Sequence, residues 1–103
     1  MVGTKTVAIN LPQEELIEFC RRYQVRRLAL FGSVVSDKFR PDSDVDVLVT
    51  FAPDARVGFL KLSRMQRELA QLLGYPVDLV PESGLKPLIR DDVLANSRVI
   101  YAT

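Results

Sequence analysis

Ser33, preceded by Gly32, and the aspartates Asp44 and Asp46 on either side of Val45 are the residues best equipped for chemistry in this 103-residue chain. Gly32 and Ser33 end the apolar run Leu28-Ala29-Leu30-Phe31, and ten residues separate Ser33 from Asp44. A glycine lets backbone approach a ligand closely, and a turn that opens a helix directs N–H groups at an anion. The serine hydroxyl can add one hydrogen bond to a phosphate oxygen. Asp44 and Asp46 stand two apart at the entry to a strand, so their side chains share a face. Two such carboxylates repel each other unless a cation neutralises them. Taken singly, Gly-Ser is an ordinary strand end and Asp-Val-Asp an ordinary solvated strand start. Taken together, a phosphate cradle and a metal-binding pair point to chemistry on a nucleoside triphosphate.

Asp78 extends the pattern. It is the lone charge in Val77-Asp78-Leu79-Val80, where a carboxylate is costly unless it is paired, metal-bound or turned outward on an edge strand. If its strand lies beside that of Asp46, the three aspartates converge on one face within reach of shared ions. Three carboxylates and a triphosphate carry about seven negative charges, of which two divalent ions cancel about four. Such an ion pair activates an attacking oxygen and stabilises a leaving one.

Several elements are needed to hold these residues. Asn10-Leu-Pro-Gln opens a first helix, with Asn10 as cap, Pro12 in the first turn, and Leu16, Phe19, Cys20 and Tyr23 on its apolar side. Arg26 to Phe31 reads as a buried strand, Val34 to Lys38 as a short helix, and Arg40-Pro-Asp-Ser as a turn. Val45 to Phe51 is a second strand. Leu62, Met65, Leu69 and Leu72/Leu73 give the following segment the period of an amphipathic helix, which Gly74 terminates. Pro76 to Val80 is a third strand. Lys86 to Ala95 reads as a last helix with Leu88, Ile89, Val93 and Leu94 as its apolar side, and Ser97 to Tyr101 as a closing strand. The order implies an α/β fold with a small mixed sheet and helices mainly on one face.

Composition narrows the chemistry. The length suits a single domain spanning residues 1–103. At 48% apolar residues and a mean hydropathy of +0.08, the chain has the composition of a folded protein. Fourteen basic residues against thirteen acidic ones leave a net charge of +1, so nucleic acid is not the expected substrate. Cys20 is the one cysteine and histidine is absent, which excludes an intrachain disulfide, thiolate metal clusters, serine–histidine and cysteine–histidine hydrolases and histidine zinc sites. Any metal must be held by oxygen, favouring magnesium or manganese. Met1 to Asn10 contains one lysine and no long apolar run, so neither a signal peptide nor a membrane span is expected and the cytoplasm is the default.

The combination of Leu-Ala-Leu-Phe-Gly32-Ser33, ten residues, Asp44-Val45-Asp46 within Arg-Pro-Asp-Ser-Asp-Val-Asp-Val-Leu-Val, and Asp78 in Val-Asp-Leu-Val before Leu85-Lys86-Pro87 resembles the minimal nucleotidyltransferases of the polymerase-β-like superfamily. The resemblance runs from about residue 10 to the C-terminus and implies the palm fold of larger nucleotidyltransferases. It also implies magnesium, two ions with manganese as a substitute, and ATP as donor of an AMP group with loss of pyrophosphate. Many members pair with a HEPN-domain toxin and act as its antitoxin by placing AMP on a toxin tyrosine. By this resemblance Gly32 and Ser33 hold the triphosphate, Asp44 and Asp46 bind metal, and Asp78 completes the metal site and helps deprotonate the attacking hydroxyl. The chain departs from the pattern after Gly-Ser: where relatives commonly carry a small residue, an arginine and a glycine, it has Val35, Ser36 and Asp37. A lost cation weakens phosphate binding unless Lys38 or Arg40 compensates. Two readings therefore stand, an active adenylyltransferase and a catalytically weak module that neutralises its partner by binding alone, in a homo- or hetero-oligomer. A small-molecule nucleotidyltransferase is disfavoured, because such a substrate needs an additional wall to enclose it.

Overall fold

A computed structural model describes residues 9–103; the N-terminal segment expected to lack a leader or membrane span lies largely outside them. The elements follow in the order α1 (Gln13–Arg22), β1 (Val25–Phe31), a 3-10 turn (Gly32–Val35), β2 (Val45–Phe51), α2 (Phe59–Leu73), β3 (Val77–Pro81), a second 3-10 turn (Glu82–Gly84), α3 (Pro87–Asn96) and β4 (Arg98–Ala102). They build one four-stranded sheet in the order β3-β2-β1-β4, in which β2 pairs parallel with β3 while β1 pairs antiparallel with both β2 and β4. Parallel pairing of β2 and β3 requires a crossover, and α2 is that crossover. The mixed sheet anticipated from the sequence is therefore present.

Alternation along β2 divides the sheet into two faces. Val45, Val47 and Val49 join Leu28, Leu30, Val77 and Leu79 in a core with Leu16, Phe19 and Cys20 of α1 and Met65, Leu69 and Leu73 of α2. Asp46, Leu48 and Thr50 face the other way. Leu48 and Ala29, paired across β2 and β1, are buried on this second face as well. That accounts for the nearly unbroken apolar run of β1.

Several contacts fix the helices. Glu68 on α2 accepts a hydrogen bond from the Tyr23 hydroxyl at 2.9 Å and pairs with Arg22 at 2.7 Å, joining α1 to α2. Arg22 is thus engaged at its helix end, whereas Arg21 and Arg26 border a separate cavity of about 500 Å³ at the sheet end remote from Asp46. Gly74 closes α2 in the left-handed conformation, φ +78°, as its position in the sequence requires.

Three expectations are corrected. Asn10 does not cap α1: the helix starts after Pro12, whose extended backbone is the half-in residue, and no side chain caps it. The segment after Gly32 closes as the 3-10 turn Gly32–Val35 rather than as a helix to Lys38: Ser36 turns extended, at φ −129° and ψ 178°, while its N–H and Oγ both donate to the Ser33 carbonyl at 3.0 Å. In α3 the apolar side is not buried: Leu88 is 97% exposed and Ile89 48%, and only Val93 and Leu94 are half-covered. The helix is held at its near end by Arg90, which pairs with Glu82 at 2.9 Å, while Leu88 and Ile89 are left uncovered.

Candidate active site

The site is built at the end of the sheet where β1 finishes and β2 and β3 begin. Asp46 and Asp78 are register partners across the parallel pair, so their Cβ atoms point to the same face of strands about 4.8 Å apart. Asp44 lies just before β2 and is exposed, Asp46 is half-buried, and Asp78 is exposed on the edge strand. The outward, half-exposed placement that an edge strand allows thus coincides with the placement that chemistry needs. Burial first, then the charges of Asp78 and Asp44, raise the Asp46 carboxyl above its ordinary value. The last two causes identify three carboxylates close enough to feel one another.

Local contacts pin the segments that carry them. Phe39 meets Tyr75 edge-on at 5.3 Å between ring centres, linking the loop before Asp44 to the approach of β3. Val45 N–H donates to the Pro76 carbonyl at 2.8 Å. Ser43 Oγ accepts from Arg40 N–H at 3.0 Å while Ser43 N–H donates to the Arg40 carbonyl at 2.9 Å, closing the turn that leads into Asp44. The Gln66 side chain of α2 accepts from Leu79 N–H at 2.9 Å and steadies β3 one residue from Asp78.

Gly32 has φ +76°, and a Cβ at this position would collide with the Asp46 carboxylate. Its role here is more specific than general backbone freedom: it lets Asp46 nest against the turn. Ser33 lies in that turn, half-exposed. Its carbonyl is taken twice by Ser36, whose Oγ also accepts from Lys38 N–H at 3.1 Å. The residues that depart from the family pattern therefore have structural work: Val35 is buried in the core and Ser36 braces the turn, while Asp37 is exposed.

The sequence-derived residues Gly32, Ser33, Asp44, Asp46 and Asp78 come to one end of one face. Among the described residues, however, no three His, Cys, Asp or Glu side chains are gathered closely enough to hold an ion as they stand. The donor set nonetheless fits a hard cation. It is all oxygen, and the ion pairs Arg22–Glu68 and Arg90–Glu82 involve none of Asp44, Asp46 and Asp78.

Residues 14–100 match the family described as nucleotidyltransferase domain. The chain belongs to that family. Among relatives of this nucleotidyltransferase, the protein adenylyltransferase MntA of Thermococcus cleftensis is 42% identical over 84 residues, covering 82% of this chain and 81% of that one. A chain from the crystal structure of a toxin–antitoxin with AMP-PNP has a TM-score of 0.73 at 21% identity, over 90% of this chain and 75% of its own. Another, from the complex of a tri-AMPylated Shewanella oneidensis HEPN toxin with its MNT antitoxin, has a TM-score of 0.65 at 20% identity, over 88% and 70%. These two likenesses speak for the fold, an α/β nucleotidyltransferase fold.

Sequence reasoning did not anticipate one feature beside the aspartates. A cleft of about 360 Å³ opens beside Gly32, between Phe31, Val35 and Ser36 on one side and Asp92, Val93 and Asn96 of α3 on the other. Nothing local in the α3 sequence marks it, because the cleft exists only once α3 is laid against the glycine turn. Among the described residues, no helix is long and apolar enough to cross a membrane.

Proposed function

We propose that this nucleotidyltransferase is a protein adenylyltransferase that moves AMP from ATP to a tyrosine hydroxyl of a HEPN-domain toxin, acting as its antitoxin in the cytoplasm. The observation that carries the reading is the side-by-side placement of Asp46 and Asp78, with Asp44 in electrostatic reach and Gly32 packed on Asp46. The similarity to a protein adenylyltransferase at 42% identity supports the protein acceptor.

In the transfer, the tyrosine oxygen forms a bond to the α-phosphorus, and the bond from that phosphorus to the oxygen bridging the β-phosphorus breaks. Pyrophosphate departs with the electron pair. Asp78, exposed on the edge strand where an external hydroxyl arrives first, accepts the hydroxyl proton. Ser33 donates its hydroxyl to a phosphate oxygen, and the small Gly32 keeps the turn close to Asp46. Asp44, Asp46 and Asp78 would hold two magnesium ions, or manganese, which when bound neutralise the developing charge and acidify the attacking hydroxyl. Positioning and charge neutralisation supply most of the rate.

A second reading has its own observation: an exposed carboxylate, Asp37, stands where the family pattern has glycine, directly after a serine in place of arginine. On that reading the fold neutralises its partner by occupying its surface. The two separate in one experiment, incubation of the chain with its HEPN partner, magnesium and ATP labelled at the α-phosphate. Label on the partner that disappears with Asp44→Asn is the expected result. Undiminished neutralisation by Asp44→Asn, with no label moving in either case, would leave the binding module as the correct account.

A further inference from the structure

We infer that the cleft between the Gly32–Val35 turn and α3 receives the nucleoside of the triphosphate, and that Asp92 and Asn96 select a purine carrying its amino group at C6. The inference rests on the triphosphate lying at the aspartates. Gly32 belongs to both places: its Cα faces the Asp46 carboxylate, and its backbone borders the cleft. A ligand anchored by phosphates beside Asp46 therefore extends its next portion into this opening. At about 360 Å³ the cleft falls at the small end of ligand pockets, a size for one nucleoside rather than for a folded peptide.

Its lining states which part of the nucleotide it takes. Phe31, Val35 and Val93 offer apolar surface for the faces of a heteroaromatic ring. The polar groups, by contrast, present acceptors. Asn96 Nδ2 donates to the Asp92 carbonyl at 2.8 Å and to Asp92 Oδ1 at 3.3 Å, which commits the amide donor and leaves Asn96 Oδ1 free to accept. Asp92 contributes a second carboxylate oxygen and a negative charge. The Ser36 hydroxyl proton is spent on the Ser33 carbonyl. A negatively charged rim of acceptors repels phosphate and pairs with N–H and O–H donors, namely the amino group of adenine and the ribose hydroxyls. Guanine places a carbonyl where adenine has its amino group, and two acceptors facing each other leave both unsatisfied.

The test is calorimetric titration of the full chain, in magnesium, with ATP, GTP and inorganic tripolyphosphate. Wild type, Asp92→Asn and Val93→Trp are compared, each checked for its folded circular dichroism spectrum. Wild type is expected to bind ATP about tenfold more tightly than GTP, the scale of one good hydrogen bond. Asp92→Asn, nearly isosteric and on an exposed helix surface, offers an N–H to the guanine carbonyl and shrinks that ratio severalfold. Val93→Trp fills the cleft and weakens ATP about tenfold while tripolyphosphate is unaffected. Tripolyphosphate binding with an ATP affinity that neither substitution changes overturns the cleft and leaves the triphosphate site standing. Failure of wild type to bind either ATP or tripolyphosphate overturns the triphosphate site, and the cleft assignment with it.

Discussion

Thr50 and Asp46 lie four residues apart on one face of β2, and the carboxylates near them live in opposite circumstances. Near Thr50, Glu82 is satisfied twice over, accepting from the Thr50 hydroxyl at 2.6 Å and from the Arg90 guanidinium at 2.9 Å. It braces the start of α3 against the sheet. Near Asp46, burial and the charges of Asp78 and Asp44 disfavour ionisation, and neither ion pair formed among the described residues reaches any of the three. The same residue chemistry is thus a brace where donors are supplied and a store of repulsion where they are withheld. On the proposed function, the three carboxylates left without a donor are the ones that would receive a cation.

The strongest challenge to that contrast is Asp46→Asn. AMP transfer is expected to fall on the order of 10²–10³-fold, while the protein melts at a higher temperature at neutral pH because a disfavoured charge is gone. The sign follows from linkage. With its folded value raised, Asp46 retains a proton that the unfolded chain has already released, so stability declines as pH climbs from the unfolded value of 3.8 through the folded one. Thermal melts across that window should show the decline in wild type and a shallower one in the variant; identical slopes break the contrast.

Leu69→Ala probes the opposite face of the sheet. This side chain is fully buried on α2, and its truncation should cost about 2–5 kcal/mol in chemical denaturation. AMP transfer per folded molecule should be unchanged. The two left-handed glycines among the described residues sharpen the comparison further. At Gly74, φ +78° with open space around it, alanine costs only the backbone penalty of about 1 kcal/mol. At Gly32 the added methyl also meets the Asp46 carboxylate, so Gly32→Ala should lose roughly 1–3 kcal/mol more and impair transfer, measured side by side with Gly74→Ala. Smallest is Glu82→Gln. The pair with Arg90 is partly solvent-exposed, at 47% and 20% for the two side chains, and its loss should cost no more than about 1 kcal/mol with transfer intact. A collapse of activity in Glu82→Gln would move the brace into the site.

Much of this was legible in the chain itself. The Val-Asp-Val start of β2 and the lone Asp78 in an apolar run report sidedness, because strand parity is a local property. Gly74 reports a helix end for the same reason. What local pattern cannot carry is register. That Asp46 stands opposite Asp78, rather than a residue up or down, follows from the parallel pairing through α2. Leu88, Ile89, Val93 and Leu94 have the spacing of a buried helix face, as the α2 leucines do, yet Leu88 and Ile89 stay exposed. Periodicity marks an apolar side without saying that anything covers it. Asp92 and Asn96 read as ordinary surface residues until the chain folds back on its own glycine turn.

Cys20 sits with no exposed surface between α1 and the sheet, and burial pushes its thiol up to about 12. The nucleophilic thiolate is therefore scarce at neutral pH, and the residue offers reagents no exposed surface while the helix is docked. Iodoacetamide should then label the Cys20 thiol only at the rate at which α1 lifts away, which makes this single thiol a natural clock for opening of the native state.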